Sequence, residues 1–174
     1  MEKRSATPRG HLTNYDLACG SAINEAFGWF QGMDPVPGVA PVFAALTHRL
    51  TGGADDGSHN PFSVEGAGWA GYVGLSGERA RFVSLSDGCR AAALVLQFRE
   101  YQALQIAYRT RDAVRLAAAL EVCTLRDTGV LAGLAAEVDD LIDSHGAIAG
   151  MWRSFSGRLG GWGRKRPTTQ VAHQ

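Results

Sequence analysis

The 174-residue chain is short of lysine, cysteine and net charge. Only Lys3 and Lys165 among its 17 basic residues are lysine, and 17 acidic residues cancel them to a formal net charge of zero. Phosphate neutralisation needs a basic surplus, so this balance excludes the simplest kind of nucleic-acid binder, and no specific nucleic acid is expected as a partner. The three cysteines, Cys19, Cys89 and Cys123, are odd in number, widely spaced and set in apolar surroundings. Such spacing fits neither a zinc site nor a disulfide framework, and Cys89 and Cys123 are expected as buried thiols of a reducing compartment. No apolar run approaches the roughly 18 residues of a membrane span; the longest, Ala91 to Leu96, has the length of a buried-helix segment. No hydrophobic region follows Met1-Glu2-Lys3-Arg4, so no secretory signal and a cytoplasmic synthesis are expected.

What the chain does have is an ordinary apolar share, 45%, and helical spacing along most of its length. Residues 1–12 are polar and punctuated by proline and glycine, and are expected as a mobile arm. Thr13 followed by Asp16 resembles a helix start, and Leu17, Ile23, Phe27 and Phe30 carry the period to a Pro/Gly stop at 31–38. Pro41 suits the first turn of a second helix, which Thr51-Gly52-Gly53 ends. From Gly52 to Gly77 there are eight glycines and no helical period. Trp69–Leu75 and Ala80–Leu85 then predict a small hairpin. Helices are expected from Ser84 or Ser86 through the apolar Cys89–Phe98, over Tyr101–Tyr108, from Thr110 or Asp112, and from Asp127 or Thr128. A last amphipathic stretch carries Ile148, Met151, Trp152, Phe155 and Leu159. The expected architecture is mainly α with one small β-hairpin. Residues 13–123 form its body, 124–159 a C-terminal helical extension, and 160–174 a basic, Gly-rich tail.

One order of features carries a resemblance. A helix ends in Gly-Gly, and a polar loop reaches Asn60-Pro61-Phe62. A Gly/aromatic hairpin then leads through Arg81-Phe82-Val83-Ser84-Leu85-Ser86-Asp87-Gly88 into an Ala-rich helix, followed by Tyr101 and Arg111-Asp112 to Leu120. Over residues 13–123 this resembles the lysozyme-like, glucosaminidase-type domains of Gram-positive bacteria and their phages. Abundant Ala, Gly and Arg agree with a high-GC source such as an actinobacterium or its phage. The resemblance implies a lysozyme-like helical fold, peptidoglycan glycan strands as partner, and a catalytic acid just before Gly-Gly. This sequence has Thr51 there. Glycosidic cleavage needs a carboxylic acid held protonated beside the leaving oxygen, and a hydroxyl cannot replace it. Asp55, Asp56 and Glu65 are the nearby carboxylates, although a glycine-rich loop holds an acid poorly within catalytic tolerance.

Three readings follow. The first is a lysozyme-like domain with lost or altered catalysis that binds glycan or serves in a virion, tail or cell-wall assembly, since binding and transition-state stabilisation are separable. The second is a working glycosidase with Asp55, Asp56 or Glu65 as acid. The third is a purely structural helical assembly protein. Trp69, Tyr72 and Phe82 are candidates to stack on sugar rings, or else are hairpin core. The Asn60 amide is a candidate to bond an acetamido group, or else closes its own turn before Pro61. His48 and His59 with Asp55 and Asp56 match no ligand spacing and are expected as solvated loop residues, so no metal is expected. Gly66-x-Gly68-x-x-Gly71 matches a dinucleotide fingerprint by letters but lies in no βαβ context, so no cofactor is expected either. Near the end, an acidic face of Glu137, Asp139, Asp140 and Asp143 precedes a segment with five basic residues and no acid. Residues 147–166, with Trp152, Arg153, Arg158, Arg164, Lys165 and Arg166, are candidates to dock on an anionic surface or a partner subunit, or to cover the domain's own core.

Overall fold

In the computed structural model, which describes residues 11–123 and 129–144, the chain is mainly helical with a single two-stranded antiparallel sheet. Residues 1–10 of the arm, most of the helical extension and the basic tail, with Trp152, Arg153, Arg158, Arg164, Lys165 and Arg166, lie outside the described residues, whereas Leu12, expected in the arm, packs against the core.

Helix α1 spans Asn14–Phe30. Its start is a reciprocal cap: the Thr13 hydroxyl accepts from the Asp16 N–H at 3.2 Å, and the Asp16 carboxylate accepts from the Thr13 N–H at 2.8 Å. Aspartate here performs the role usually given to Glu or Gln. After Gly32 the prolines admit only a short 3-10 turn, Pro37–Val39, which runs into α2, Ala40–Thr51. Pro41 sits in its first turn, where the missing N–H is no loss. Gly52 ends it in the left-handed conformation that favours glycine.

A long loop leads to β1 (Tyr72–Ser76) and β2 (Arg79–Phe82), paired across Gly77-Glu78 with an irregularity between Tyr72 and Gly74. The second strand stops at Phe82 because Ser84 is already the N-cap of α3, Leu85–Val95. Phe98 falls beyond this helix and is exposed, so the expected buried run through Phe98 ends earlier. A 3-10 turn (Arg99–Tyr101) leads into α4, Gln102–Arg109, and Asp112 caps α5, Ala113–Val122. The last described helix, α6, is Leu134–Ser144. It starts later than the expected Asp127 or Thr128, because the chain turns through 129–133 with Gly133 at positive φ.

Helix α1 packs against both α2 and α3. Its approach to α2 depends on Gly20, where an added Cβ would meet Ala44 Cβ at 2.7 Å. Phe27 lies between Phe43 and Tyr108, with ring centroids 5.7 and 4.7 Å away. The buried Tyr108 hydroxyl donates to Asn24 Oδ1 at 2.9 Å and accepts from the Val36 N–H at 3.2 Å, so the one polar group in this aromatic cluster is satisfied. Val42, Phe43, Ala44, Ala45, Leu46 and Thr47 are all buried, making α2 the central element. Leu131, Leu134 and Val138 enter the same core from the chain's far end. Arg49 fastens them, donating to Glu137 and to the carbonyls of Val130 and Ala132. Among the described residues no helix is long and apolar enough to cross a membrane.

Candidate functional site: the loop after α2

The glycine-rich loop leaves the end of α2 beside the N-termini of α1 and α3. Gly53 is buried against Thr13, His48 and Asp16, and the Thr13 hydroxyl reaches its carbonyl at 2.7 Å. Farther along, the carbonyl of His59 lies where a Cβ on Gly88 would be, 1.7 Å from it. Only glycine at 88 allows the loop to rest on the first turn of α3.

Two aspartate–histidine pairs hold this loop. In the first, His48 Nδ1 lies 2.7 Å from Asp16 Oδ2. Asp16 is fully buried; its Oδ2 also serves Thr13, while Oδ1 is buried with no hydrogen-bond partner among the described residues. In the second, His59 Nδ1 lies 2.5 Å from Asp55 Oδ2, and Asp55 Oδ1 accepts from the N–H groups of Gly57 and His59. His59 is held at φ 55°, a left-handed conformation seldom adopted by a side-chain-bearing residue. A carboxylate only accepts, so each ring carries its proton on Nδ1 and keeps Nε2 as its other polar atom. His48 lies on the helix before Thr51 and His59 in the loop, as expected, but neither is simply solvated, since both are tethered to carboxylates. Among the described residues no three His, Cys, Asp or Glu side chains come together in a way that could hold a metal ion.

The residues proposed as acids are placed as follows. Thr51 is half-buried; its hydroxyl donates to the Thr47 carbonyl at 2.9 Å and accepts from the Gly53 N–H at 3.2 Å. Asp55 turns back onto its own loop. Asp56 is exposed and accepts from the Ser58 hydroxyl and N–H, which hold its carboxyl below the usual carboxylate range. That is the wrong direction for a general acid, which must stay protonated near neutral pH. Glu65 lies on the exposed side of the loop; its backbone bridges Arg79 and its carbonyl accepts from the Trp69 indole at 3.0 Å.

Of the glycan-contact candidates, Trp69 and Tyr72 are half-exposed, whereas Phe82 is buried with Val64 and Ala80 beneath the hairpin. The Phe82 ring face is closed to a sugar because β2 turns alternate residues inward. Asn60 is buried as well. Its amide donates to the carbonyls of Val64 and Ala80 at 2.9 and 2.8 Å and accepts from the Val64 N–H at 2.8 Å, tying the loop to β2. These bonds occupy both its donors, so of the two readings the structure has the turn-closing one. The glycines of the 66–71 motif take positive φ in an irregular segment, and Gly71 lies against Asp87.

Sequence reasoning missed a second group of side chains. Tyr15, Cys19 and Cys89 lie together where α1 meets α3. Burial, reinforced by the neighbouring Cys19 thiol, raises the Tyr15 hydroxyl well above the usual phenol range. The Cys19 thiol beside it and burial push Cys89 up in the same way. A thiol shifted upward and buried is no nucleophile, so Cys89 does not form a catalytic unit with Asp55 and His59 despite their proximity. The helical spacing of Tyr15 and Cys19 was the only signal in the sequence; nothing local linked them to Cys89.

Comparison of the chain with protein-family models, with curated proteins and with solved structures gives no match.

Proposed function

We propose that this chain is a lysozyme-like domain that has lost ordinary glycosidase chemistry and binds peptidoglycan glycan strands, serving in a phage tail or cell-wall assembly. The observation that carries this reading is the state of Thr51. At the end of α2, directly before Gly-Gly, the side chain is a hydroxyl already bonded to the Thr47 carbonyl and the Gly53 N–H. A group that completes its own helix end has no free proton for a leaving oxygen. The loop carboxylates do not replace it, since Asp55 is folded onto the loop backbone and Asp56 is held ionised. Trp69 and Tyr72 remain half-exposed beside the hairpin and offer apolar faces to sugar rings.

The test is sedimentation of the pure protein with insoluble peptidoglycan, while soluble reducing ends are assayed in the supernatant. Co-sedimentation without fragment release is the expected result. Trp69→Ala and Tyr72→Ala should each weaken retention by roughly tenfold, the value of one lost stacking contact. Fragment release abolished by Asp55→Asn or Glu65→Gln would replace this reading with that of an active glycosidase. Indifference to the glycan would leave only an assembly role.

A further inference from the structure

Helices α1 and α3 bring two thiols together. Cys19 and Cys89 sit on these two packed helices in one apolar cluster, 0% and 1% exposed, with Tyr15 one turn before Cys19. Cys123 lies at the end of α5 near the backbone of Leu104. We propose that Cys19 and Cys89 are a redox pair that closes into a disulfide between α1 and α3 when the protein folds or opens in an oxidising medium, while Cys123 stays a free thiol.

The pairing rests on placement. A disulfide needs two Cβ atoms brought together from elements already in contact, and α1 and α3 pack together with the Cys19 and Cys89 thiols as hydrogen-bonding neighbours. The oxidant is a small disulfide such as oxidised glutathione. One protein thiolate attacks it and releases a first glutathione thiol; the second protein thiolate then attacks the mixed disulfide and releases the other. Two thiols lose two protons and two electrons, and the glutathione disulfide gains them. Both protein thiols are buried away from a soluble oxidant in the folded state, so this exchange is slow there and fast while the chain is open. The closed loop holds about 70 residues and includes α2, the glycine-rich loop and the hairpin, so closure removes much freedom from the unfolded chain.

The experiment is refolding of the full chain with and without oxidised glutathione, followed by denaturation, maleimide labelling and intact mass. The expected product has lost two hydrogens and takes up one maleimide, where the reduced protein takes up three. Cys19→Ala and Cys89→Ala should each abolish the mass loss, and Cys123→Ala should leave it unchanged. Oxidised protein should melt about 10 °C above reduced protein, and the difference should vanish in Cys19→Ala. Three labelled thiols after oxidative refolding, or a bridge mapped to Cys123, would overturn the proposal. If Cys19→Ala fails to fold, peptide mapping of the wild-type bridge decides the same question.

Discussion

The two aspartate–histidine pairs use the same atoms at nearly the same distance in different surroundings. Asp16 and His48 have side chains 0% and 23% exposed; Asp55 and His59 have 24% and 38%. The first joins α1 to α2, so its partners are far apart in sequence, and Asp16 also serves the cap of α1. The second lies within four residues of one loop, where the same carboxylate closes the turn and holds His59 in a left-handed conformation. Burial decides what each is for. A buried carboxylate without its partner is left uncompensated at a large cost, whereas an exposed one is rescued by water. The inner pair is structural, and the outer pair shapes a loop whose imidazole remains within reach of solvent.

The largest expected effect tests the inner pair. Asp16→Ala should destabilise the protein by about 3 kcal/mol in denaturant unfolding, because it removes one half of the reciprocal cap and leaves the half-buried His48 Nδ1 and the Thr13 N–H without their acceptor. Asp55→Ala should cost about 1 kcal/mol. Equal losses would break the contrast. Next comes the seat of the outer pair: Gly88→Ala sets a methyl against the His59 carbonyl and should cost about 2 kcal/mol, with the His59 signals moving most in NMR spectra. Unchanged stability there would mean that the loop does not rest on α3.

Alkaline pH should act on the inner region alone. Tyr15 and Tyr108 are raised by burial, so the folded state keeps protons that the unfolded state releases. Their stabilisation is complete below the unfolded tyrosine value of about 10 and is lost as pH rises beyond it, as tyrosinate absorbance alongside unfolding would reveal. The smallest effect lies in the outer loop. Asp56 is lowered, so its contribution is present above the ordinary aspartate value of about 4 and fades as pH falls through its folded value. With the side chain in solvent, the loss should be barely measurable by unfolding but visible as a carboxyl titration below the usual range. Finally, Thr51→Glu sharpens the functional reading: weak release of glycan fragments is expected, and a folded but inert variant would count against position 51 as the lost acid.

Much of the fold was legible because its signals are local. Thr13 with Asp16, Pro41, Gly52, Ser84 and Asp112 mark helix ends through contacts made within a turn of themselves, and all of them stand where such signals predict. The start of α6 was misplaced because Asp127 and Thr128 look like caps, while the turn at Gly133 delays the helix to Leu134. At the site, Thr51 could be read as lacking an acid's proton, but not as completing its own helix end. Asn60 and Phe82 each admit two readings from sequence, glycan contact or a place within the fold, because only the pairing of β1 with β2 and the hairpin's seat on α3 decide which way they face.

Residue order alone set the capped helix starts at Thr13, Ser84 and Asp112, the glycine-rich interruption, the hairpin and the absence of glutamate before Gly52-Gly53, since each depends on neighbours a few positions away. Tertiary structure decided that Asp16 meets His48, that Cys19 lies beside Cys89, and that the His59 carbonyl rests on Gly88. Those contacts join positions about 30 to 70 residues apart, where only packing of whole helices, not local pattern, brings side chains within bonding distance.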